Sequence, residues 1–349
     1  MSLSSSDVKA GIVAAKAEAA RRRLVKAQQQ VLLIGKVTAA FSTSAANPPA
    51  KHSAYIPRKL NVNPIPLVTP EDSRPSVSDL LAEHSEPLAA VRTIVAVDAL
   101  YDATRHDDLW LLRFVLSHMK KGGVATAAAA ARATIRYRHE NSLDAEDIRR
   151  EWPTHAHDWP VYRTFEHNVE PGSLSHTLPH PDRGVVTIVS MTGLNQAGMA
   201  AVDAAVALRS HQRWTEWCFQ MVDDITRRTG RLTKTCRLID MRSTRLRDMD
   251  RQYLARDGAN AKATEDFYPQ LLAAAFICHP PTFIHFLWRV CRPLFPQRFV
   301  EKLDLIAPVT NQAEARRLHK YLATEHIPRR FGGEMEAWPP PLGEENMSF

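Results

Sequence analysis

Phe267 to Phe295 reads FYPQLLAAAFICHPPTFIHFLWRVCRPLF, and three signals follow one another within it. The unbroken apolar run Leu271 to Cys278 has the length of a buried strand. His279-Pro280-Pro281 then stops it, because proline donates nothing to a sheet ladder and restricts the residue before it. The segment Phe283 to Cys291 is very apolar again, and the polar residues His285, Arg289 and Arg292 fall at i, i+4 and i+7. On a helix that spacing makes one narrow basic stripe on a greasy rod. Such a surface either closes over something apolar or meets a membrane interface, where the stripe contacts anionic headgroups.

The net charge of +7 on 349 residues raises the question of nucleic acid, and its distribution answers it. Residues 1–70 carry ten Lys/Arg against two acids, Asp7 and Glu18, whereas the rest carries 35 Lys/Arg and 36 Asp/Glu. The globular part is near neutral and the high pI belongs to a tail, so no nucleic-acid role is expected. Arginine patches such as Arg227, Arg228 and Arg231 read as solvated faces. Apolar content of 44% and charge of 24% are those of an ordinary soluble globular protein. Cys218, Cys236, Cys278 and Cys291 show no CxxC and no disulfide-framework spacing, which suits free thiols in a reducing compartment. No apolar run approaches the roughly 20 residues needed to span a bilayer, so any membrane contact is expected to be peripheral.

Along the chain, residues 1–78 read as a basic, helix-prone N-terminal segment followed by a linker with Pro48, Pro49, Pro57, Pro64, Pro66, Pro70 and Pro75. The acid-poor, Arg/Ser/Ala-rich start has the composition of a mitochondrial transit peptide over residues 1–45, and equally that of a basic arm touching anionic lipid. Residues 79–152 read as a helical lobe. Asp107 and Asp108 open a helix with Leu109, Leu112, Val115, Leu116 and Met119 on one face, and Gly122-Gly123 end it with a left-handed cap. Val124 to Glu140 follows as a second, alanine-rich helix. Pro153 to Asp182 reads as a loop rich in His and Pro. Strands are then expected at Val185–Met191, Cys236–Met241, Leu271–Cys278 and Leu303–Ile306, alternating with helices, the first of them over residues 199–229. That order argues for an α/β layer with an internal sheet over residues 153–335, ahead of a C-terminal tail, 336–349.

Nothing in the sequence supports catalysis. Gly193 to Gly198 begins like a phosphate loop, but Met199 and Ala200 stand where Lys and Ser/Thr are required. GxSxG, HExxH and GxGxxG are absent. His155, His157, His167, His176 and His180 crowd one region without metal-ligand spacing and read as a solvated loop. Met191, Trp217, Phe276, Phe283 and Trp288 are candidates to line a ligand pocket or to form ordinary core.

Six motifs in order resemble the CRAL-TRIO lipid-binding domain of phosphatidylinositol/phosphatidylcholine transfer proteins, over about residues 85–335. They are Leu111-Leu112-Arg113-Phe114, Cys236 to Met241, Tyr268-Pro269-Gln270, Ile277 to Pro281, Arg292-Pro293-Leu294-Phe295 and Ile327 to Gly333. The resemblance implies a helical N-terminal lobe followed by a domain whose mixed sheet floors an apolar pocket, with flanking helices and a gating helix. The gate residues so implied are Phe283, Phe286, Leu287, Trp288, Arg289 and Arg292. It implies headgroup-binding roles for Lys302, Gln270, His118, Thr235 and Arg237. The match is partial: Gln270 replaces a glutamate, His118 an arginine, and Arg237 a small hydroxyl residue.

The expected function is therefore non-enzymatic binding and intermembrane transfer of a hydrophobic ligand, a glycerophospholipid such as phosphatidylinositol. The bound lipid is the ligand, and no other cofactor or metal is expected. Two alternatives stay open. One is a different hydrophobic cofactor, such as haem or an isoprenoid, and the other is a lipid-sensing membrane-recruitment adaptor. The expected partners are phospholipid and a membrane surface, with a monomeric chain in the cytoplasm, or in mitochondria if the N-terminus is a transit peptide.

Overall fold

A computed structural model describes residues 53–150, 165, 167–170, 172–178, 180–292, 297–306 and 312–335. The basic N-terminal segment, His155, His157 and the C-terminal tail lie outside these residues. The elements are α1 (Val77–Glu83), α2 (Ser85–Val95), α3 (Asp108–Glu140), β1 (Leu174–Thr177), β2 (Val186–Ser190), α4 (Gln196–Ala201), α5 (Ala204–Thr229), β3 (Thr235–Asp240), α6 (Arg251–Phe267), β4 (Leu272–Cys278), α7 (Thr282–Cys291), α8 (Gln297–Val300), β5 (Leu303–Ile306) and α9 (Gln312–His319).

The five strands lie in the order β1-β2-β3-β4-β5. β1 runs antiparallel to β2, and every other pair is parallel. Parallel neighbours need helical crossovers, which is why the strands read as short apolar runs between helices. One face of the sheet buries Ile188, Leu238, Phe276 and Ile306 against Leu318, Ile327 and Phe331. The other face carries Ile277 with Met191, Met241 and Ile284. A register shift between Thr235 and Cys236 leaves Ala273 without an opposite residue on β3.

The helical lobe follows its sequence signals. Asp107 caps α3 by accepting from the Trp110 N–H at 3.1 Å. Gly123, with φ 67° and ψ −165°, breaks the rod in two, as the glycine pair predicts. The expected helix over 199–229 is likewise two helices, because Asp203 starts a new one by accepting from the Ala205 and Val206 N–H groups. One element departs further from the sequence reading: β1 lies inside the expected His/Pro loop. α6 is one of the helices expected to alternate with the strands, though no bounds were expected for it.

The proline-rich linker is also corrected: its described part is extended but docked. Asn61 N–H donates to the Arg227 carbonyl at 2.7 Å and Ile65 N–H to the Thr229 carbonyl at 2.9 Å, filling acceptors that the end of α5 leaves open. Gly230 closes α5 at φ 66°, and a Cβ there would stand 2.7 Å from the Asn61 carbonyl oxygen. The strap and the lobe meet α5 through a buried ionic seam. Asp223 accepts from Arg113 at 3.2 Å, from Arg227 at 2.7 Å and from the Tyr55 hydroxyl at 2.9 Å. Glu216 takes both Nη atoms of Arg138, at 2.8 and 3.0 Å, and the Tyr268 hydroxyl at 3.1 Å. Burial raises the Asp223 carboxyl, but Arg227 and Arg113 outweigh it and hold the group below the usual carboxylate range.

Candidate ligand cavity

A cavity of about 150 Å³ lies between the sheet and helices α5 and α6. Leu174, Thr187, Val189, Thr235 and Arg237 come from the strands. α5 contributes Ser210, His211, Trp214 and Cys218, and α6 contributes Tyr253, Asp257, Asn260 and Thr264. A dry apolar cavity of that size holds one benzene ring. This one differs in carrying charge.

Its polar groups fall into two sets. One set is bonded within the protein. The Thr187 hydroxyl shares a hydrogen bond at 3.2 Å with His176, which stands behind the lining and meets the Trp214 ring edge-on at 4.6 Å. His211 Nε2 lies 3.1 Å from the Thr264 hydroxyl. Burial, and then the Arg237 charge, push His176 down to about 3 and His211 to about 4, so both imidazoles are neutral at physiological pH. Burial raises the Cys218 thiol to about 12, which makes it an inert thiol. Arg256 donates to the carbonyls of Met199 at 2.9 Å and Ala200 at 2.7 Å, closing the end of α4.

The second set is unsatisfied among the described residues: the Arg237 guanidinium, the Asp257 carboxyl, the Tyr253 hydroxyl and the Asn260 amide all line the cavity with no hydrogen-bond partner for their side chains. Burial raises the Asp257 carboxyl above its usual range, and the attraction of Arg237 offsets this in part. Burial and the Asp257 charge raise the Tyr253 hydroxyl.

The five residues expected at the headgroup are not gathered in one place. Thr235 and Arg237 face the cavity, Thr235 donating to the Leu271 carbonyl at 3.1 Å. Lys302 pairs with Glu265 at 2.6 Å, and Glu265 in turn lines the cavity. Nearby Lys234 is lowered to about 8, by burial first and then by Lys302. Gln270 donates to the Ser117 hydroxyl at 2.8 Å from a left-handed backbone, φ 63°. His118, next to Ser117, is buried with its ring stacked on Phe114. Neither Gln270 nor His118 lines the cavity.

Of the two readings left open for the large apolar candidates, core is the one observed. Met191, Trp217, Phe276, Phe283 and Trp288 are not among the lining residues; Trp217 and Phe276 are core, while Met191 and Phe283 belong to the cluster on the inner side of α7. His176, expected on a solvated loop, is buried in β1, whereas His167 is exposed and His180 half-buried. The lining residues of α6 escaped the sequence reading altogether.

The residues expected at the gate lie on α7 and at its C-cap. Phe283 and Ile284 pack in one cluster with Val189, Met199 and Tyr253, three residues that also line the cavity. On the outer side Phe286 is 69% exposed, flanked by exposed His285 and Arg289. Trp288 is half-buried and Arg292 exposed, while the side chain of Leu287 lies outside the described ones. The helix starts from a fixed point. His279 has φ 51°, bonds Asp240 at 3.2 Å and stacks on Phe331. No helix among the described residues is long and apolar enough to cross a membrane.

An internal cavity walled by a parallel sheet and two helices, with an apolar helix across its margin, defines a domain that encloses a small hydrophobic ligand. Residues 176–333 match the family model of the CRAL/TRIO domain. Domains of this family bind lipids and other small hydrophobic molecules. Among solved structures, the crystal structure of Sfh5 is similar at 11% identity with a TM-score of 0.42, covering 70% of this chain and 83% of that one. No curated protein matches.

Proposed function

We propose that this chain binds an amphipathic lipid in the cavity and carries it between membranes, with α7 as the lid. The observation that supports this is the packing of α7: Phe283 and Ile284 share a cluster with residues lining the cavity, while Phe286 points outward between basic side chains. A helix with one face packed on residues that line the ligand space and an exposed aromatic on the other can exchange its outer contact for a bilayer interface. Each buried methylene of a cargo chain contributes roughly 0.8 kcal/mol, so a lipid can be held through an aqueous transit. Free space of about 150 Å³ takes one chain end, and a two-chain glycerophospholipid such as phosphatidylinositol requires α7 to move outward.

Transfer of labelled lipid between donor and acceptor vesicles tests this. Phe286→Asp is expected to slow transfer about tenfold while leaving the melting temperature unchanged, because Phe286 is already solvated. Unchanged transfer in that variant, or a delipidated chain that takes up no lipid from liposomes, would count against the reading.

A further inference from the structure

Arg237 is the least expected residue in the cavity. It projects from β3, the middle strand of the sheet, and it is half-buried. None of the described carboxylates comes within ion-pairing distance of it. An uncompensated cation in such surroundings is unfavourable, and the other arginine lining the cavity, Arg256, has three carbonyl acceptors. The unmet groups around Arg237 form a coherent set. Tyr253 offers a hydroxyl donor, Asn260 an amide, and Asp257 a carboxyl, all from successive turns on one side of α6. Guanidinium, phenol and amide together are what an oxyanion with two or three oxygens requires. A choline headgroup would meet like charge there.

We propose that the cavity selects a single-chain amphiphile ending in an oxyanion, a carboxylate or a phosphate, which Arg237 grips while Tyr253 and Asn260 bond its remaining oxygens. This rests on the cavity being the ligand site, as argued above. The limited free space favours one chain over two, and the apolar cluster of Val189, Met199 and Phe283 receives that chain toward α7. Arg237 is then a specificity-determining residue whose unfavourable burial in the empty protein is relieved when cargo arrives.

The test uses the full chain, stripped of lipid, titrated with palmitate, palmitoyl lysophosphatidate and neutral monopalmitoylglycerol, three amphiphiles with the same chain. At least one of the two anions is expected to bind about tenfold or more tighter than the neutral compound, as a charge-assisted hydrogen bond implies. The stronger anion identifies carboxylate or phosphate as the recognised group. Arg237→Gln should remove that preference, bringing the anion close to parity with monopalmitoylglycerol. Equal binding of anionic and neutral amphiphiles by the unaltered chain, or a preference that survives Arg237→Gln, overturns the proposal while leaving lipid binding intact. Failure of all three amphiphiles and of phospholipid vesicles to bind would defeat the cavity reading itself. Arg237→Leu supplies a second readout: the empty protein should melt a few degrees higher once the unpaired cation is gone. A lower melting temperature would make Arg237 a structural residue and overturn its assigned role.

Discussion

Two groups of buried arginines sit on opposite sides of α5, and the protein treats them differently. In the seam between the strap, the lobe and α5, Arg138 and Arg227 each reach two carboxylates and Arg113 reaches one. In the cavity, Arg237 reaches none. The seam uses charge to hold three segments in one register, although Nε and Nη1 of Arg113 find no hydrogen-bond partner among the described residues. The cavity keeps charge in reserve. A buried cation with partners is architecture, and one without partners is a request for a ligand.

That contrast breaks or holds on a series of substitutions. The largest effect is expected for Asp223→Ala, which leaves Arg113 with no carboxylate, takes one of the two from Arg227 and removes the acceptor of Tyr55; about 3–5 kcal/mol of stability should be lost in denaturant titration. Glu216→Ala, which leaves Arg138 with Asp144 alone, should cost somewhat less, and the double replacement Arg138→Met with Glu216→Met should cost less again, since the two fully buried charges are then removed together and only the half-buried Asp144 loses its arginine. A double variant worse than the single would show that the seam stabilises by more than mutual neutralisation. Tyr55→Phe removes one hydrogen bond to a carboxylate and is expected to cost about 1.5–3 kcal/mol, the measure of how firmly the strap is tied.

The smallest effect is the sharpest in sign. Asp223 has its folded pKa depressed by its arginines, so its contribution is present above about pH 4 and is lost as pH falls toward the depressed value. Asp257 has its folded pKa raised, chiefly by burial, so the native state binds the extra proton and stability declines as pH rises from about 4 through the raised value. Asp257→Asn should therefore be neutral in acid and progressively stabilising above about pH 4. Asp223→Asn should show its greatest deficit near neutrality and a shrinking one in acid. Parallel pH profiles for the two variants would erase the distinction between seam and cavity.

The sheet was largely legible because its strands are buried on both faces and read as apolar runs: β5 was expected at Leu303–Ile306 and is found there, and β2, β3 and β4 differ by a residue or so at their ends. The stop at His279-Pro280-Pro281 and the exposed face of α7 were legible for equally local reasons. α6 was not. One side of that helix lines a cavity instead of a core, so Tyr253, Asp257 and Asn260 stand where periodic apolar residues would otherwise announce a helix. The element most concerned with the ligand is the one that composition hides. β1 was hidden similarly, since Ser175, His176 and Thr177 are polar yet buried. The docking of residues 53–76 could not be read locally, because its partners are the last carbonyls of α5, more than 160 residues away. Arg237 was visible as a misfit at a position implied by resemblance, but only the fold shows that nothing answers it.

His279 carries one consequence beyond its own contacts. Arg242 bonds both its ring and the carbonyl of Arg330, and its imidazole lies on Phe331, so the residue just before the two prolines is fastened to the final turn of the domain. Any outward movement of α7 would therefore turn on an anchored bearing and be bounded at one end. Whatever shifts the turn at Arg329–Phe331 shifts that bearing, which makes the far end of the domain part of the door frame.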